Sequence, residues 1–269
     1  MADVIFNKNE LILDKVRSLT AHSINEKNYG EMLFRLTSLE DPTLSCTAEG
    51  EEVVDAIGAL ITTLYRAKKA TFSASNSLIS LDLAAAQYGT KKEIGKAKVP
   101  TYEILTIENG ATTVQLSKKA VEDIAYIYSI DKGEIATSYA AAKEGSATAT
   151  EFVFAFGEDF DCKTITLPTS LTSGKIYVEY TYEAESANRI VNKTSEFPES
   201  CSMKIYAYFR DKCNDNLVYS GVIVAPKAKL NPEQVELALT STGKHAFEFQ
   251  MMRDYCDEDA ELFSIIVAE

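Results

Sequence analysis

The chain has 269 residues, 46% of them apolar, and a net charge of −13. That apolar fraction excludes a disordered chain, and no apolar run approaches the length of a membrane span. The acidic balance argues against a face that grips nucleic acid, which needs Lys and Arg to displace counterions, but it permits nucleic acid to slide past.

The length allows one large or two modest domains. The opening Met-Ala-Asp-Val-Ile-Phe-Asn-Lys lacks a basic region followed by an apolar core, so no secretion signal is expected and the chain is read as staying in the cytoplasm that makes it. Residues 11–20 and 31–39 read as a hairpin: Leu13, Val16 and Leu19 are apolar in the first strand, and Met32, Phe34 and Leu36 alternate in the second. Residues 25–30 supply turn chemistry between them, and Asp41-Pro42 is expected to end the pair.

Residues 43–58 form a long excursion with hairpin character. Leu44, Cys46 and Ala48 alternate, and then Glu49, Glu51, Glu52 and Asp55 crowd a stretch holding Gly50 and Gly58. Long connections are usually functional or mobile. A paired-carboxylate acid–base site needs an apolar pocket to raise one pKa, and nothing here supplies one. A solvated face and a contact or channel-lining role both remain open. A β-rich run over residues 60–65 leads through Arg66, Lys68 and Lys69 into a second run, where Ala70, Phe72 and Ala74 alternate with Thr71, Ser73 and Ser75. The period then changes: Leu81, Ala84, Ala85 and Tyr88 fall on one helical stripe, with Asn76, Ser77 or Ser80 as cap, Gly89 at the C-terminus, and Lys91 and Lys92 on the favourable side of the dipole.

From about residue 99 the character shifts. Seven short strands are expected at 102–108, 112–116, 124–130, 134–139, 151–156, 163–167 and 175–182, separated by turn signals such as Asn109-Gly110 and Ser173-Gly174. Their number and spacing suit a small immunoglobulin-like β-sandwich. Residues 140–143 are the one helix-like piece. Tyr177, Tyr180 and Tyr182 make an aromatic strand, read as core packing rather than as a stacking platform for bases or sugars. Residues 184–200 read as a return linker. Further strands are expected at 202–210, 217–224, 235–239, 245–251 and 262–267, with Pro226 and Pro232 outside the strand centres. The organisation is therefore 1–98 and 184–269 as two parts of one sheet system, with 99–183 inserted between them.

Little in the chain points to catalysis. His22 and His245 sit in or beside strands and read as structural, with no Ser-His-Asp or Cys-His constellation. The five cysteines have no Cys-x-x-Cys spacing and read as small buried hydrophobes. The acidic run from Asp254 to Asp259 lacks the alternate-ligand spacing of a calcium loop. No phosphate-binding Gly loop or dinucleotide fingerprint occurs, so neither enzyme activity nor a cofactor is expected.

Five stretches carry a resemblance: Cys46-Thr-Ala-Glu-Gly-Glu-Glu-Val-Val-Asp, Gly58-Ala-Leu-Ile-Thr-Thr-Leu-Tyr-Arg-Ala-Lys-Lys-Ala-Thr-Phe-Ser-Ala-Ser-Asn, Leu83-Ala-Ala-Ala-Gln-Tyr-Gly-Thr, and near the end Ala228-Lys-Leu-Asn-Pro-Glu-Gln-Val-Glu-Leu-Ala-Leu-Thr-Ser-Thr-Gly-Lys-His-Ala-Phe and Asp254-Tyr-Cys. They resemble major tail tube proteins of tailed bacteriophages, over the flanking parts and not the middle. The resemblance implies a mainly β fold, an antiparallel β-sandwich or barrel with one short helix. It also implies six subunits closing a ring, rings stacking into a hollow tube in the virion tail, self and other tail proteins as partners, and DNA passing without stable binding. Six copies would carry 6 × −13 = −78, which repels phosphate. Glu49, Glu51, Glu52, Asp55, Arg66, Lys68 and Lys69 are the candidates for ring–ring contact or for the lumen. The alternatives are another virion component, for tail completion or capsid decoration, and a glycan-binding module built on the middle region.

Overall fold

The computed structural model describes residues 9–142, 145–158, 160–214, 216–240, 243–255 and 261–268. The first part of the chain forms β1 (Leu11–Ser23), β2 (Met32–Leu36), β3 (Leu39–Val54), β4 (Leu60–Asn76) and the helix α1 (Leu81–Tyr88). Then follow β5 (Glu93–Ile107), β6 (Thr113–Gln115), β7 (Tyr126–Asp131), β8 (Glu134–Ala141), β9 (Glu151–Phe154), β10 (Thr164–Thr166) and β11 (Gly174–Arg189). The chain finishes with β12 (Ser200–Asp211), β13 (Val218–Leu230), β14 (Glu236–Leu237), β15 (His245–Met251) and β16 (Ser264–Ala268). Two units result: Met1–Lys92 with Ile190–Glu269, and Glu93–Arg189. The smaller unit starts before residue 99 and ends after residue 183, because β5 and β11 run on past those limits as one ladder that closes with Arg189 opposite Glu93.

The larger unit is an antiparallel, nearly closed, barrel-like sheet in the order β2-β1-β12-β13-β15-β4-β3, with β14 beside β15 and β16 beside β13. Period two sets its core. Ala70, Phe72 and Ala74 of β4 are buried while Thr71, Ser73 and Ser75 are half-buried. Phe72 meets Phe247 of β15 at 6.3 Å between ring centroids, and Phe249 stacks on Phe34 of β2 at 6.2 Å. Burying rings of this size stabilises by about 1.5–3 kcal/mol each.

Several expectations change at bulges. Asp41-Pro42 does not end the first pair; it lies inside β3, where the register against β4 shifts between Glu40 and Thr43 and Asp41 takes φ 50°. Pro226 sits within β13, close to the register shift between Cys201 and Met203 of β12, where the ladder is interrupted and the missing N–H costs least. Residues 184–189 are strand rather than linker.

Helix α1 is capped by Ser80, whose hydroxyl accepts from the Leu83 N–H at 3.3 Å, and it ends at Gly89 with φ 70°. A Cβ at Gly89 would lie 2.2 Å from the Phe197 carbonyl oxygen, so the crossing chain requires glycine there. The buried face differs from the stripe read in sequence: Leu83, Ala84, Ala85 and Gln87 are buried, and Leu81 is 42% exposed. The reason is polar. Gln87 Nε2 donates to the Ala246 carbonyl at 3.1 Å, and its Oε1 lies 2.5 Å from Nε2 of the fully buried His245, which turns the helix toward β15. Lys92 reaches back to Asp82 in the first turn, at 2.5 Å, rather than serving the C-terminus.

The smaller unit carries all seven expected strands, in the order β5-β11-β7-β8-β9-β10-β6. Its pairs are antiparallel except β8 with β9. Pro100 faces Thr181 on β5, an edge strand where a missing donor is tolerated. Ile127, Phe152, Ile165, Ile176 and Val178 centre its core. Ala140 and Ala141 are strand, in β8, not helix, and Lys143 lies outside the described residues. In β11, Tyr180 is buried and Tyr182 packs against the core, as expected, but Tyr177 points to the other face by alternation. Among the cysteines Cys162 and Cys201 are buried, while Cys46 and Cys213 are exposed, against expectation. Cys46 lies on the outward part of β3 and Cys213 in the turn after β12; Cys256 lies outside the described residues. Burial pushes the Cys201 thiol up to about 12.

Candidate functional site

Six of the seven charged candidates lie on β3 and β4 at or beyond the edge of the packed sheet, and Asp55 lies in the turn that joins the two strands. In β4 the residues Ala70 to Asn76 belong to the packed sheet. Beyond a bulge, marked by Ala67 at φ 49° and by a register shift between Thr47 and Glu49, the two strands continue as an arm. Eight residues of strand per side give it a reach of roughly 25 Å. Nearly every position from Cys46 to Lys69 is exposed or half-buried.

The register places the charges. Glu49 pairs across the ladder with Arg66, Glu51 with Leu64, and Glu52 with Thr63. Arg66 reaches diagonally to Glu51 at 3.1 Å, and Lys69 bonds Glu49 at 2.7 Å. The Lys69 ammonium holds the Glu49 carboxyl below its ordinary range, and Glu49 in turn holds Lys69 up, chiefly through their hydrogen bond. These pairs are about two-thirds exposed, so they set register more than stability. Glu52 and Lys68 are exposed. Asp55 does something different: its Oδ1 accepts from the N–H groups of Ile57 at 3.0 Å and Ala59 at 2.7 Å, which closes the tip, with Gly58 at φ 84°. The seven candidates therefore include two ion pairs and one turn-maker. Four acidic groups against three basic ones leave the arm near neutral, so most of the net charge lies elsewhere.

Sequence reading passed over the apolar half of the arm. Ile57 is 89% exposed, Tyr65 74%, Ile61 65%, Leu60 58% and Leu64 45%. The Tyr65 ring lies over Gly50: a Cβ there would come within 3.3 Å of the ring and 3.1 Å of the Thr63 methyl. The available signal was the unbroken apolar Leu60-Ile61, which does not alternate as a half-buried strand should.

The histidines are held structurally. His22 lies within 3.2 Å of the Thr20 hydroxyl and 3.3 Å of the Gly30 carbonyl, and His245 is buried against α1. Asp254 pairs with Lys227 at 3.3 Å, residues 256–260 lie outside the described residues, and no metal-holding cluster of His, Cys, Asp or Glu occurs among those described. Among the described residues no helix is long and apolar enough to cross a membrane. A family model described as the YomU/Tube protein family matches residues 16–264, across both units. No curated protein matches the chain.

Proposed function

The chain belongs to the YomU/Tube protein family, and on that footing we propose that it is the structural subunit of a phage tail tube. Copies close into six-membered rings, the rings stack, and DNA leaves the virion through the lumen without stable binding. Other tail proteins are its remaining partners. The reading needs no cofactor and no catalytic step.

The observation that carries it is the arm. A two-stranded hairpin is marginal in water by itself, and this one extends beyond the packed sheet with Ile57, Leu60, Ile61, Leu64 and Tyr65 uncovered. Covering five such side chains contributes on the order of 5 kcal/mol per arm. A neighbouring copy supplies a cover that repeats from subunit to subunit, as a symmetric ring or stack requires. The near-neutral ladder of Glu49, Glu51, Arg66 and Lys69 lets the arm enter such a contact without burying unpaired charge.

Negative-stain microscopy of the purified chain tests this. Rings or tubes about 100 Å wide are expected, from six domains of ordinary radius around a channel. The double variant Ile61→Asp, Leu64→Asp should stay folded and lose them. A wild-type chain that remains monomeric at high concentration, or arm variants that still polymerise, would end the proposal.

A further inference from the structure

The outward face of β5, β11 and β7 carries a second candidate site that has no part in the tube reading. Alternation sends Ile127, Ile176 and Val178 into the core of the smaller unit and the intervening residues outward. On the outer face Ile104, Tyr177 and Tyr128 form one row across the strands, since Tyr177 opposes both Ile104 and Tyr128. Tyr102 opposes Glu179 in the next row, and Tyr126 lies beside them on β7. The Tyr102 and Tyr177 rings stack at 5.2 Å between centroids, and Tyr128 tilts against Tyr177 at 6.2 Å. Tyr102 is 60% exposed and Tyr126 54%.

This face is not a failed core. The Tyr177 hydroxyl donates to Glu179 at 2.6 Å, which fixes the ring and pushes its pKa up to about 12, so it stays a neutral donor. Beside Tyr102 and Glu179 opens a shallow cavity of about 440 Å³, lined also by Thr101, Thr181, Glu122 and Asp123. Glu122 is held by Lys98 at 3.0 Å. Flat apolar ring faces thus adjoin a shelf of carboxylates and hydroxyls.

We propose that this tyrosine platform and its acidic shelf bind a neutral polysaccharide. A pyranose ring has an apolar C–H face, which stacks on an aromatic ring, and a rim of hydroxyls, which donate to carboxylates and exchange hydrogen bonds with Thr and Tyr hydroxyls. Nucleic acid fits the rings equally well but not the shelf, because Glu179 and Asp123 oppose phosphate. A protein partner would meet Glu179 and Asp123, carboxylates with no cation of their own beside them among the described residues, as Glu122 has in Lys98, and would need cations opposite them, whereas sugar hydroxyls satisfy carboxylates without any.

Calorimetric titration of the full chain with cellohexaose, chitohexaose and maltohexaose, and with a thymidine oligonucleotide, tests the site. At least one hexasaccharide should bind. Tyr102→Ala and Tyr177→Ala should each weaken it by about tenfold, Tyr102→Phe should retain it, and Tyr29→Ala, an exposed tyrosine of the larger unit, should leave it unchanged. The chain contains no Trp, so tyrosine emission reports the same event independently. Three results overturn the proposal: no binding of any hexasaccharide, binding indifferent to both alanine variants, or preference for the oligonucleotide. A change of oligomeric state in the alanine variants without sugar binding would assign the face to contacts between copies instead.

Discussion

The inner and outer halves of β3 and β4 are one pair of strands put to two uses. In the inner half Ala70, Phe72 and Ala74 alternate into the core against Phe247 and Phe249 of β15. In the outer half no third strand and no opposing layer occur among the described residues, and apolar and charged residues share the surface. Hydrogen bonding continues through both halves, so the ladder alone does not distinguish them. What changes is the presence of a packed face. The bulge at Ala67 and the register shift at Glu49 mark the border, where a bulge bends the strand and interrupts the ladder. Subunit stability therefore resides in the inner half, and the outer half is available for contact.

The comparison breaks most sharply on paired core and arm substitutions. Phe249→Ala removes a fully buried ring that touches Phe34 and Phe247, and should cost about 3–5 kcal/mol in urea unfolding. Ile61→Ala in the arm should change the subunit by no more than about 0.5 kcal/mol. Comparable losses at the two positions would mean that the arm packs within its own chain.

Acid sharpens the same boundary, because His245 belongs to the packed half. Its Nδ1 accepts from the Ser80 N–H at 3.4 Å, which leaves Nε2 to donate to Gln87. Burial lowers its pKa to about 4 from an unfolded value near 6.5. The unfolded chain thus binds the proton first. The stabilisation is complete above pH 6.5 and is lost as the pH falls toward 4, by roughly 3 kcal/mol in all. Glu40 is held down by Lys244 and Ser77, and its contribution is lost only below its ordinary range. Denaturant midpoints between pH 7 and 4 should show this slope in the wild type and a flatter one in His245→Gln. Equal slopes would remove His245 from the account.

Removal of the smaller unit should matter less. Glu93 and Arg189 are opposed in one ladder, so their Cα atoms are about 5 Å apart and a short Gly/Ser linker can join Lys92 to Ile190. The two cores are separate clusters. The shortened chain should unfold within about 1 kcal/mol of the large unit's transition in the full chain, and should still form tubes. An insoluble product would show that the cores depend on each other.

Local sequence carried part of this architecture. The seven strands of the insert, the alternation at Ala70 to Ala74, and the Ser80 and Gly89 caps are written in adjacent residues, and they were legible. The helix face was not, because it is set by a bond between Gln87 and His245, 158 positions apart. Nor was the continuity of β3 through Asp41-Pro42, since a bulge reconciles a turn-like dipeptide with an unbroken ladder. Tyr177 was placed with the wrong neighbours although period two alone puts it on the face opposite Tyr180 and Tyr182; the run of tyrosines was grouped by residue type instead of by parity. In the arm the charged residues were found, but their partners depend on the register that Asp55 fixes at the tip. The apolar residues that make the arm a contact surface read only as strand.

The smallest effect on the subunit, and the most informative on the assembly, belongs to the charge ladder. Glu51 and Arg66 are both about two-thirds exposed, so Glu51→Arg should move the thermal midpoint of the isolated subunit by no more than about 2 °C. In a contact between copies the same change places an extra cation beside Arg66 where water is excluded, and polymerisation should fail. The exchange Glu51→Arg with Arg66→Glu rebuilds the pair within the arm and should restore tubes. If the exchange does not restore them, the Glu51 carboxylate meets a cation on another copy rather than Arg66. If the arm faces the lumen, Glu51→Arg tails should assemble normally while DNA ejection slows, more so at low salt, because the new cations hold phosphate. Counting tails and measuring ejection on the same variant separates these results. Normal tails with normal ejection would reduce the ladder to a solvated face.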